Sequence, residues 1–111
     1  MLFVKIGEQE FDISFRYSEE SPESVRNLTD AVVDGPRRCS FANVFMDGES
    51  MTEGVAVCHK GDNFCKAIGR KRALRWAISD FPADVRRAIW TAYEIKFGFK
   101  NRKKRNASRT G

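Results

Sequence analysis

The sequence predicts an α+β domain, an antiparallel sheet of about four strands with two or three helices packed on it in the order ββαββαα. Three observations carry this. Phe11, Ile13, Phe15 and Tyr17 alternate with Asp12, Ser14 and Arg16, the period of a strand with one buried face. Asp47-Gly48 sits between two apolar segments, a strong tight-hairpin signal, because such a turn needs positive φ. From Asp62 onward the apolar residues recur at helical spacing instead.

The elements follow in order. "LFVKI" and "FDISFRY" flank "GEQE" and read as a first hairpin, which "SEESPE" ends. Ser21 before Pro22 is a helix start with proline at the first helical position. Val25, Leu28, Ala31 and Val32 continue it, and Asp34-Gly35-Pro36 stops it, with a strand as the alternative because Val32-Val33 is β-prone. "RRCSFANVFM" and "SMTEGVAVCH" are the second hairpin, with Phe41, Phe45, Val55 and Val57 on one inward face and a bulge expected at Gly54. Asp62 caps a helix from about Asn63 to Ser79, with Ala67, Leu74, Ala77, Ile78 and Phe81 turned inward. Ser79 or Asp80 caps a last helix that runs to about Phe97, with Pro82 in its first turn. Its apolar face is Val85, Ile89, Ala92 and Tyr93.

A chain of 111 residues suits one domain. We expect it to span residues 1–98, with 99–111 a disordered basic tail, since "FKNRKKRNASRTG" has no periodicity and is mostly charge. No apolar run approaches the ~18 residues of a membrane span, and no secretory signal is read at the N-terminus. Three cysteines, an odd number, make a poor disulfide framework and fit a reducing cytoplasm. The net charge of +5 is unevenly spread. Residues 1–57 balance to −6, residues 58–79 to +5 and residues 80–111 to +6. Such a dipolar chain suits an anionic ligand at its basic end, or a second copy bound head to tail.

A metal site would draw on Cys39, Cys58, His59 and Cys65, but zinc wants four convergent ligands. Cys58 and His59 are neighbours whose side chains diverge along a strand, and no C-x-x-C pair is present. The cysteines read better as buried apolar fillers. A catalytic reading of His59 with Asp62, or of a Cys58 or Cys65 thiolate beside His59, lacks an orienting third residue. We therefore read neither metal, cofactor nor enzyme activity.

The helix opening at Asp62 is a better candidate, because a helix N-terminus favours anions. Lys66, Arg70, Lys71, Arg72 and Arg75 follow on it. Lys66 with Arg70, and Lys71 with Arg75, set like charges side by side at i, i+4, a cost unless an anion or acidic residues answer them. Phe64, next to Asn63 in the first turn, either stacks on a base or anchors the helix in the core; the core is the commoner use. Arg86 and Arg87 lie beside Trp90 and Tyr93, a combination that suits bases and phosphates, or else a tryptophan at a helix–sheet seam with two solvated arginines. The tail suits non-specific nucleic-acid contact or simple solubility.

"GVAVCHKGDNFCKAIGRKRALRWAI" followed by "RRAIWTAY" resembles small accessory proteins of tailed phages and prophages. The shared pattern is D-N-F, then G-R-K-x-A-L, then R-x-x-I-W-x-x-Y, and it covers about residues 37–97. The layout is also similar to the Thoeris anti-defence family, oligomeric "sponges" that bind cyclic ADP-ribose isomers without cleaving them. That resemblance implies a small cyclic nucleotide as partner, a homo-oligomer, the host cytoplasm as location and no membrane. It implies Phe64 on the base and Arg86 or Arg87 on phosphate. With the reading of the residues, the expected ligand-binding set is Asn63, Phe64, Arg70, Arg86, Arg87 and Trp90. Two other readings stand beside it. One is a nucleic-acid-binding module using the 66–75 face and the tail. The other is a protein inhibitor of a host defence enzyme that docks through the acidic half.

Overall fold

The computed structural model describes residues 1–58 and 66–98. The elements are β1 (Leu2–Ile6), β2 (Gln9–Glu20), α1 (Pro22–Thr29), β3 (Arg37–Met46), β4 (Glu49–Val57), α2 (Lys66–Ala77) and α3 (Ala83–Tyr93). A π-helical turn, Glu94–Gly98, prolongs α3. This is the ββαββαα α+β order. The four strands form one sheet in chain order, every neighbour antiparallel. Leu2, Ile13, Val44 and Thr52 align in one row across it.

Both faces of the sheet are used. Leu2, Val4, Phe11, Ile13, Ala42 and Val44 face Ala73, Leu74 and Ala77 of α2, Ile78, and Ile89 and Tyr93 of α3. On the other face, Val25 of α1 closes over Cys39 and Phe41, with Leu28, Val55 and Val57 around them. Of the expected inward face, Phe41, Val55 and Val57 thus pack together, but under α1, and Phe45 is not part of that cluster. The two larger helices take the alternate residues of β3, because successive side chains on a strand point to opposite faces.

Several boundaries differ from the sequence reading. β2 runs on through Ser18-Glu19-Glu20, where Glu19 and Glu20 pair with Arg38 and Arg37 of β3. Opposite charges across the strands favour that extension. α1 starts as expected, Ser24 N–H donating to the Ser21 hydroxyl at 3.2 Å, but stops at Thr29. Asp30 adopts φ 64° and its N–H closes on the Arg26 carbonyl at 2.8 Å. Ala31 and Val32 therefore leave the helix, and Val32 is 83% exposed.

The bulge is not at Gly54. The register shifts between Val44 and Phe45, leaving Met51 as the extra residue, while Gly54 pairs regularly with Ala42. Gly54 has a different cause. A Cβ there would lie 1.9 Å from the Ala73 carbonyl oxygen and 2.6 Å from the Ala77 nitrogen, so glycine lets the backbone of α2 rest on β4. Gly69 does the same from the helix side, where a Cβ would meet the Ser40 hydroxyl oxygen at 2.1 Å.

α2 lies inside the expected 63–79 span; its predicted cap, Asp62, lies outside the described residues. Ala67 is exposed rather than inward, because it lines a surface cleft and not the sheet. Ser79 does not cap α3: its hydroxyl donates to the Trp76 carbonyl at 3.0 Å and closes α2. Pro82 is the N-cap of α3, with no side-chain cap bond. The described segments include no helix long and apolar enough to cross a membrane. The predicted tail, 99–111, lies outside the described residues.

Candidate anion-binding cleft at Arg70

Gly69 lets α2 sit close on β3, and the next residue, Arg70, is half-buried between α2, β2 and the end of α3. The alternation of β2 turns Tyr17 toward the helices, and the apolar stripe of α3 turns Tyr93 toward the sheet. Arg70 Nε donates to the Tyr93 hydroxyl at 3.2 Å, and Nη1 donates to the Tyr17 hydroxyl at 3.3 Å. Its guanidinium lies 4.1 Å from the centre of the Phe97 ring, within cation–π range. Phe97 stands on the π-helical turn, a feature often found at functional sites.

The rings around Arg70 hold one another. Tyr93 and Phe97 have centroids 4.9 Å apart. Phe15 meets Phe97 edge-on at 5.8 Å, and Trp90 meets Tyr93 edge-on at 5.5 Å. Lys66 Nζ lies 5.1 Å from the Tyr17 ring centre, which adds a second cation to the same aromatic group.

Among the described residues Arg70 is paired with phenols and not with a carboxylate, and the ion pairs are Arg16–Glu53 and Arg37–Asp34. Burial works against its charge, but the bonds to Tyr17 and Tyr93 outweigh that and hold the guanidinium above its ordinary pKa. Burial likewise pushes the Tyr93 phenol up, opposed in part by Arg70. Near neutral pH the arginine stays charged and the phenol stays protonated. Both groups are thus suited to holding a ligand rather than to exchanging a proton as a general base does near pH 7.

Arg70 opens on a cleft of about 160 Å³, lined also by Ala67, Lys71, Tyr93, Glu94 and Phe97. Two cations and a carboxylate thus share an aromatic wall. Arg and Lys suit phosphate, and Glu94 is an acceptor of the kind that holds ribose hydroxyls.

Of the expected site residues, Arg70 and Trp90 come together through Tyr93. Arg86 does not join them; its guanidinium donates to the Ser79 carbonyl at 3.2 Å. Arg87 lines a separate shallow groove with Val4, Lys5, Asp84 and Ile95. Asn63 and Phe64, like His59, Asp62 and Cys65, lie outside the described residues. Cys39 is buried under α1, where burial, then Glu20, then Cys58 push its thiol up. Among the described residues no three His, Cys, Asp or Glu side chains group to hold a metal ion.

Tyr17 and Phe97 are site residues that the sequence reading missed. Tyr17 was legible as inward-facing on β2, but its meeting with Arg70 spans 53 positions. A scan against protein-family models, a search of curated proteins and a search of solved structures each returned no match.

Proposed function

We propose that the protein binds a small anionic nucleotide of the cyclic ADP-ribose kind without cleaving it, as a phage-type anti-defence sponge in the host cytoplasm. The observation that carries this reading is Arg70: a half-buried guanidinium, held by phenols and an aromatic ring rather than by a carboxylate, at the mouth of a cleft. A half-buried guanidinium with no ion-pair partner among the described residues favours an anion, and a guanidinium grips phosphate through two parallel N–H bonds. Lys71 supplies further positive charge on the same wall.

The cleft volume bears on assembly. At about 160 Å³ it is smaller than the roughly 300–1,000 Å³ that usually encloses a drug-sized ligand. One chain therefore supplies part of a nucleotide site, and a second copy of the chain completes it.

The test is capture. Purified protein is incubated with a mixture of cyclic and linear nucleotides, washed, denatured, and the released material weighed by mass spectrometry. Intact cyclic nucleotide in the released fraction, with the protein oligomeric by light scattering, supports the proposal. Release of hydrolysed product, or of nothing, counts against it.

A further inference from the structure

The outward face of α2 is a second charged surface that borders the Arg70 cleft, with Ile68 and Lys71 at the shared rim. Ile68, Lys71, Arg72, Arg75 and Trp76 follow the i, i+3, i+4, i+7, i+8 spacing that places them on one side of a helix. All five are exposed, Trp76 at 61% and Ile68 at 53%. The opposite side carries Ala73, Leu74 and Ala77, which are buried and anchor α2 to the sheet. Among the described residues the stripe is therefore left out of the core. No ion pair among the described residues involves Lys71, Arg72 or Arg75. Arg72, Arg75 and Trp76 are not among the residues that line the cleft.

An indole in water beside three cations that make no ion pair among the described residues fits a partner with both phosphates and flat π-faces. An acidic protein surface answers the cations, but only scattered aromatic side chains on it would give the indole a plane to stack on. Unpaired nucleotides offer both at the right scale. Lys71 and Arg75 are one turn apart, about 6 Å along the axis, close to the roughly 7 Å rise of two stacked nucleotides. We propose that the outward face of α2 binds single-stranded nucleic acid, Trp76 stacking on a base while Lys71, Arg72 and Arg75 hold phosphates. The binding is insensitive to base sequence, because every base presents a π-face.

The test uses the full chain and a fluorescein-labelled oligothymidylate of about 20 nucleotides, read by anisotropy at several salt concentrations. Wild type binds. Trp76→Ala binds about tenfold more weakly, whereas Trp76→Phe, which keeps a ring to stack, retains most of the affinity. Arg72→Gln/Arg75→Gln flattens the slope of log K against log salt by about 1.4, the share of two cations on a single strand. Arg70→Lys leaves binding within about twofold, which separates this surface from the nucleotide cleft. Three results overturn the proposal. One is no binding by wild type. Another is equal binding by every variant, which assigns the strand to residues 99–111. The third is a change in molar mass, but not in anisotropy, with Trp76→Ala, which assigns the face to a second copy of the chain.

Discussion

Arg70 and Tyr93 depend on each other. The phenol gives the guanidinium a neutral acceptor at 3.2 Å, and the guanidinium limits how far burial raises the phenol. The folded pKa of Tyr93 lies above its unfolded value. Its contribution is therefore full below the unfolded value, about 10, and is lost as pH rises toward the folded one, because the unfolded chain gives up the proton first. We expect urea midpoints to fall above pH 10 and to fall less in Tyr93→Phe, which has no phenol to ionise. Equal alkaline slopes for the two proteins would remove Tyr93 as the cause.

At the scale of elements, the contact of α2 with the sheet decides where Arg70 sits. Gly54 brings β4 against the backbone of α2, Gly69 brings α2 against the Ser40 side chain of β3, and Arg70 follows directly on the second of them. Gly54→Ala forces its methyl group against the Ala73 carbonyl, with backbone on both sides and no side chain to swing away. We expect it to cost about 3 kcal/mol, the upper range for overpacking, seen as a lowered midpoint in urea denaturation. A loss below about 0.5 kcal/mol would show that α2 rides higher on β4 than described. Periodicity made the element order legible, and the Asp47-Gly48 turn made the second hairpin legible. Boundaries were less so. Glu19 and Glu20 read as a break until Arg38 and Arg37 are seen opposite them, and Gly54 read as a bulge until α2 is seen lying on it. Both depend on contacts between segments distant in the chain. The site shows the same split: Arg70 and Trp90 could be named from local pattern, while their link through Tyr93 to Tyr17 and Phe97 is tertiary.

Over the whole molecule, charge and shape point the same way. The acidic balance of residues 1–57 lies on the strands and α1, and the +5 balance of residues 58–79 lies on α2 itself. The polarity seen in sequence is therefore a polarity between elements, and it draws an anion toward the α2 side. On the proposed reading, the Arg70 cleft on that side is too small to enclose a nucleotide in one chain, so ligand capture would go with self-association. Both ideas rest on Arg70 as the anchor for phosphate. Calorimetric titration of wild type and Arg70→Lys with cyclic ADP-ribose, at equal oligomeric state and melting temperature, tests this most directly. Lysine keeps the charge but loses the planar fork and the stacking on Phe97, so the account predicts binding at least about tenfold weaker with the ligand recovered intact from both proteins. Equal affinity for the two proteins, or a cleaved ligand, would contradict it.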